Sequence, residues 1–226
     1  MKKKLVLLLT LIFLLLIFLN KNIFQIILEK KISEWTKYNS DLILSKFNFF
    51  SGEIEITNFE LQNKKNFFYD NMFEASLVKI ELDPKTYFNE LVVIKSAIME
   101  KPKFYFEIKN IKKGKNIEIK DNLNLIEKLS KKKEKEVFPK KNRDKNFIIL
   151  NLKIKDAIAV IKYENRDENI TVTLSDMSFA KVGNSGHSDI EFQHYKKIMR
   201  IILGDIFFKI PDQYLRAIIK EKYKVK

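Results

Sequence analysis

The chain has 226 residues, with 43 Lys and Arg against 29 Asp and Glu, a net charge of +14 and no cysteine. That length is enough for one domain with a real core, and the missing cysteines exclude a disulfide-stapled scaffold without fixing a compartment. The charge does not mark a nucleic-acid binder: basic residues are spread along the chain, Lys, Asn, Ile and Phe are over-used together as an AT-biased genome dictates, and the signatures of the common nucleic-acid modules are absent.

Lys2, Lys3 and Lys4 precede fifteen almost purely apolar residues, Leu5 to Leu19, before Asn20-Lys21-Asn22 interrupts the run. A basic segment followed by an apolar core is a membrane-insertion signal. A signal peptidase needs small side chains just after that core, and the first alanine is Ala75. The sequence therefore predicts an uncleaved signal-anchor helix over residues 1–22. Fifteen residues rising about 1.5 Å each span roughly 22 Å, short of the ~30 Å hydrocarbon core, and flanking lysines can snorkel to close the gap. The positive-inside tendency keeps Lys2 to Lys4 in the cytoplasm and makes the expected location the inner membrane, single-pass, with the rest of the chain periplasmic. The helical pattern resumes through Trp35, which is expected at the membrane surface.

From there the apolar period becomes two. Leu42 to Phe50, Glu53 to Ile56, Val78 to Leu82, Leu91 to Met99, Phe104 to Ile108, Ile148 to Ile154, Ala157 to Tyr163 and Ile170 to Leu174 read as eight half-buried antiparallel strands, separated by turns that include Ser51-Gly52, Asp83-Pro84 and Lys101-Pro102. Asp121 to Leu129 has helical spacing with Asp121 as its cap. The next stretch carries eight basic residues against three acidic ones, and it is too polar to offset its ordering entropy. The expected organisation is an N-terminal half of a β-domain at 23–129, a basic flexible linker at 130–146, a C-terminal half of the sheet at 147–187 and an amphipathic helix at 188–226. Ser188 and Glu191 have capping-box spacing at the start of that helix. Its apolar face suits either the sheet or a membrane surface, and Pro211 kinks or restarts it. The fold class is α+β: a transmembrane helix, a curved antiparallel sheet forming an open β-groove, and the C-terminal helix.

Chemistry is sparse. The two histidines, His187 and His194, lack the partners a zinc site requires, and five glycines leave little material for a phosphate-cradling loop. No nucleophile elbow or Cys/His pair occurs, so no catalytic residue, metal or cofactor is expected. An open apolar trough beside a membrane suits acyl chains instead. The candidate lining residues are Val78, Ile80, Phe104, Phe106, Ile108, Leu150 and Leu152.

The order of these pieces resembles small members of the AsmA-like group, within the AsmA/TamB superfamily of envelope proteins that share a β-groove with bridge-like lipid-transfer proteins. The resemblance rests on the N-terminal anchor, the run Phe50-Ser51-Gly52-Glu53-Ile54-Glu55-Ile56-Thr57-Asn58-Phe59, the strand Glu74 to Leu82, Leu91 to Pro102 with Phe104, and Asn124-Leu125. It continues with Phe147 to Val160 and with Leu174 to Phe179 leading to Gly183. Asp156-Ala157 and Asn66-Phe67 depart from it, standing where the family usually has a glycine turn and Gly-Phe. The resemblance implies a membrane-tethered protein of outer-membrane biogenesis or phospholipid traffic without an active site, with membrane phospholipid and an envelope protein as its partners. Two alternatives remain: a scaffold that docks a partner through an exposed sheet edge, and a lipopolysaccharide-transport jelly roll, which would end in strands without a terminal helix.

Overall fold

The computed structural model describes residues 20–36, 38–63, 65–113, 116–122, 146–163, 167–183, 195–213 and 216–217. The predicted anchor with Leu5 and Leu19, the segments 123–129 and 130–145, both histidines and the Ser188 cap lie outside the described residues. Among the described residues no helix is long and apolar enough to cross a membrane.

Helix α1 spans Lys21–Thr36. It starts where Asn20 Oδ1 accepts the Asn22 and Ile23 N–H groups at 3.0 and 3.4 Å, an N-cap that explains why the helix begins at the polar interruption. Phe24, Leu28 and Ile32, one turn apart, lie on the core, and Trp35 falls in the last turn. Then follow β1 (Ser40–Asn48), β2 (Glu53–Gln62), β3 (Asn71–Leu82), β4 (Leu91–Lys113), β5 (Asn116–Asp121), β6 (Asn146–Lys155), β7 (Ile158–Tyr163), β8 (Ile170–Thr173), β9 (Met177–Gly183) and helix α2 (Tyr195–Lys209). Asp121, the expected helix cap, is instead the last residue of β5, paired with Ile108.

The nine strands form one curved, open sheet in the order β1-β2-β3-β4-β6-β9, with β5 and β7 on the far half of β4 and β8 on β7. Two expectations change. The segments 91–99 and 104–108 are one strand of 23 residues, because β3 on one side and β6 with β7 on the other keep pairing with it across Pro102. The sheet is also not antiparallel throughout: β4 runs parallel to β6 and to β7. A parallel pair needs a long crossover, and the polar connection between β5 and β6 supplies the length. That connection therefore joins two halves of one sheet.

Asn58, Lys101 and Asp156 have φ of 51°, 51° and 52°, in the left-handed region. In register they fall on one line. Asn58 lies opposite Ser76, Ser76 opposite Lys101, and Asp156 keeps the register that β6 and β7 share against β4, while β1 shifts register between Asp41 and Ile43 beside Asn58. Each such residue costs about 1–2 kcal/mol unless it is Gly, Asn or Asp, which leaves Lys101 as the strained member. The pairing on both sides of Asn58 and Lys101 keeps one register, so these left-handed residues interrupt neighbouring strands at one level and mark a transverse crease in the sheet.

One face of the sheet is polar, with Lys46–Glu53, Lys79–Glu100 and Lys95–Glu81 pairs at 2.8, 3.4 and 3.5 Å. The other is apolar, and runs unbroken along rungs such as Leu44, Ile56, Val78, Met99, Ile154 and Met177. Helix α1 covers its β1–β3 end. Helix α2 covers the opposite end, burying Ile198, Ile202, Leu203, Ile206 and, just past the helix, Ile210 in the larger core cluster. The C-terminal helix thus packs on the sheet, and it stops at Lys209 just ahead of Pro211.

Candidate functional site

Of the seven predicted lining residues, Val78 is buried and Ile80 half-buried in the α1-side cluster, while Phe106, Ile108 and Leu152 are buried and Phe104 half-buried in the α2-side cluster. Six share the helix-covered face. Ile80, Ala97 and Leu152 are consecutive rungs, so the two groups form one floor. Leu150 is the exception, 37% exposed and off that floor. Beside it β4 shifts register against β3 at Lys95, and opposite it Lys181 has φ 54°, so that Ile149 and Leu152, three residues apart, both face the core. The β4 bulge at Lys95 and the left-handed Lys181, on the two strands that flank β6, accompany the displacement of Leu150 from the alternation.

Phe106 and Ile108 lie under α2 in a sealed core. The half-covered part of the floor lies between the helices, over β2, β3 and β4. There Phe59, Phe73 and Phe104 form a ladder, with ring centroids 5.7 Å apart for the first pair and 5.2 Å for the second. All three are half-buried, and Met99 touches both clusters beside them. Tilted aromatic rings with a flexible thioether make an adaptable apolar surface. Phe59 and Phe73 are among the many phenylalanines of the strands but not among the seven expected lining residues, because their meeting with Phe104 depends on cross-strand register, which side-chain alternation does not reveal.

The opposite face holds a polar centre. Glu107 is 1% exposed although its neighbours Phe106 and Ile108 face the core on the other side. The loop after β2 folds over it: Phe68 and Tyr69 N–H groups and Asn63 Nδ2 donate to its carboxylate at 2.6, 2.9 and 3.0 Å. Asn122 extends the ladder beside it, with its Oδ1 accepting the Glu107 N–H at 3.0 Å and its Nδ2 donating to Tyr105 O at 2.5 Å. Lys109 donates to Asn66 O and lies 5.2 Å from the Phe67 ring. A cavity of about 660 Å³ opens against this loop, lined by Glu60, Gln62, Lys65, Asp70 and Asn71 among others. Tyr105 donates to Glu74 at 3.0 Å, and burial, then the hydrogen bond to Glu74 and its charge, push its phenol up to about 12. Burial, then the charge of Glu107, also raises Tyr69. These groups hold a loop, and none is arranged as a nucleophile with its base. Among the described residues no three of His, Cys, Asp and Glu are placed to hold a metal ion.

The β1 edge, one candidate for partner docking, is occupied by α1. Gln25 Oε1 accepts the Leu44 N–H at 3.1 Å, Ser33 Oγ accepts the Ser40 N–H at 3.0 Å, and Lys21 Nζ donates to Ser45 O at 3.2 Å. Compared with known proteins, the chain matches no family model and no curated protein sequence.

Proposed function

We propose that the protein is a membrane-anchored, non-catalytic envelope protein of the AsmA-like kind, with its sheet domain in the periplasm, that binds or hands on the acyl chains of phospholipids. The observation that carries this reading is the Phe59–Phe73–Phe104 ladder, an apolar surface left half-covered between two helices on a floor that crosses six strands. Acyl chains gain roughly 25 cal/mol for each Å² of apolar surface they remove from water, and the ladder offers such a surface without displacing a sealed core. The resemblance gains support from backbone conformation: Asn66 and Asp156, the positions where glycine is usual in that family, have φ of 87° and 52°, in the region glycine favours. The fifteen-residue apolar run before α1 supplies the tether.

The test is native mass spectrometry of detergent-extracted full-length protein. The wild type should carry phospholipid, and Phe73→Asp should lose it while keeping its circular dichroism, because an unpaired carboxylate against hydrocarbon costs several kcal/mol. A folded Phe73→Asp variant that retains its lipid removes the ladder from the site. Absence of lipid from the wild type leaves the scaffold as the reading to pursue.

A further inference from the structure

Helix α1 runs antiparallel to β1, so its first turn lies beside the end of that strand: Lys21 Nζ reaches Ser45 O at 3.2 Å, and the Phe24 and Phe47 rings stack 4.1 Å apart. The β1–β2 turn follows directly. Asn48 Oδ1 accepts the Phe50 and Ser51 N–H groups there, and Gly52 closes the turn at φ 76°, where an added Cβ would strike Leu82 O. That turn is joined to the β3–β4 loop by Leu82 N–H donating to Gly52 O at 2.9 Å and by the Phe49 and Tyr87 rings at 4.9 Å. Three features therefore share one end of the molecule: the point where the chain arrives from the apolar run Leu5 to Leu19, the β1–β2 turn and the β3–β4 loop. Two phenylalanines protrude from that end, Phe50 at 71% exposed and Phe88 at 88%. Ile26 and Ile27, in the second turn of α1, are exposed as well, as are Lys21 at the start of α1 and Lys85 on the β3–β4 loop.

Single exposed apolar residues are common on soluble proteins. Here the exposed phenylalanines are collected on the two turns beside the arriving segment, at the end that an anchor over residues 5–19 would hold against a bilayer. We infer that Phe50 and Phe88 insert into the membrane interface and stand the sheet end-on to the bilayer. Aromatic rings suit that depth, and Lys21 and Lys85 would sit among the head groups. Strands β2 to β4 then run away from the membrane, and the Phe59–Phe73–Phe104 ladder lies above it on the helix-covered face. This inference rests on the anchor proposed above.

The chain has no cysteine, so single cysteines can be introduced and labelled. Phe50→Cys, Phe88→Cys and, on the loop at the opposite end of the strands, Phe68→Cys are each coupled to an environment-sensitive fluorophore in the full-length chain. The protein is reconstituted into phosphatidylcholine–phosphatidylglycerol vesicles with and without nitroxide-bearing lipid. The expected result is co-flotation with vesicles, blue-shifted emission at 50 and 88 that loses most of its intensity to the nitroxide lipid, and unquenched, water-like emission at 68. Co-flotation with water-like emission at either 50 or 88 overturns the inference and leaves the anchor standing. A blue shift without lipid quenching also overturns it, since protein rather than bilayer would then cover the site. Quenching at all three sites means that the sheet lies flat, which contradicts the end-on orientation. Failure to float removes the anchor and the inference together.

Discussion

The two helices serve the same sheet in different ways. Helix α2 closes a core: Ile198, Ile202, Leu203 and Ile206 join the buried cluster to which β4, β6, β7, β8 and β9 contribute, and Asp205 and Lys209 fasten the helix by accepting the Ser175 N–H at 2.7 Å and donating to Thr173 O at 3.0 Å. Helix α1 closes an edge: Gln25, Ser33 and Lys21 take up backbone groups of β1, and Phe24, Leu28 and Ile32 pack against the smaller cluster. Burial per residue is therefore greatest at the C-terminal end of the strand order, where most of the domain's stability should reside. Between the two lies the aromatic strip that neither helix fully covers, which is where a protein of this design has apolar surface to spare.

The contrast is broken most severely at Phe106. Phe106→Ala removes a fully buried ring under α2 and should destabilise the domain by roughly 3–5 kcal/mol in denaturant unfolding. Phe73→Ala, on the strip, should cost clearly less, and equal losses would mean that the strip is core. Next comes Glu107. Glu107→Gln sets an amide donor against one of the N–H donors of Asn63, Phe68 or Tyr69, and should cost about 1–3 kcal/mol. Hydrogen exchange should accelerate at residues 67–70 and stay unchanged in β1. Gln25→Ala leaves the Leu44 N–H without its side-chain partner, at about 1 kcal/mol, and bares part of an edge strand. Concentration-dependent association, read by analytical ultracentrifugation, should rise more than stability falls.

The smallest effect is one of pH. The phenol of Tyr105 is raised from 10.0 to about 12, so the folded state holds its proton more tightly than the unfolded chain. That stabilisation is complete below pH 10 and is lost as pH rises toward 12. Tyr105→Phe should flatten the stability profile over this window. A wild-type profile already flat between pH 10 and 12 would contradict the burial of this phenol and its hydrogen bond to Glu74.

Period-two patterning was enough to place most strands, because alternation reports which face is buried, and Asp83-Pro84 marked a turn correctly: Asp83 Oδ1 caps the single helical turn Pro84–Thr86. Alternation failed at Lys101-Pro102, where a proline that reads as a strand end lies at a crease within a continuing strand, and at Leu150, where a bulge at Lys95 and a left-handed Lys181 accompany the change of phase. The parallel pairing of β4 with β6 and β7 left no mark in the sequence, since both strands alternate equally well in either direction. Val78, Ile80 and Phe104 belong to the floor that sequence indicated. The ladder proposed as the site needs Phe59 and Phe73 as well, and their meeting with Phe104 follows from register alone. Alternation with Phe106 and Ile108 puts Glu107 on the outer face of its strand and says nothing of its burial, because the loop that buries it comes from 38 and more residues away.

The central claim, that acyl chains lie on the strip between the helices, is tested most directly with a phospholipid carrying a photoreactive group in its acyl chain. Full-length protein in membranes is irradiated, and the modified peptides are identified by mass spectrometry. The account predicts adducts within β2, β3 and β4, centred on Phe59, Phe73, Met99 and Phe104, with none on the polar face around Lys79 and Lys153. Adducts confined to residues 1–30 would contradict it, leaving a protein that touches lipid only through its anchor.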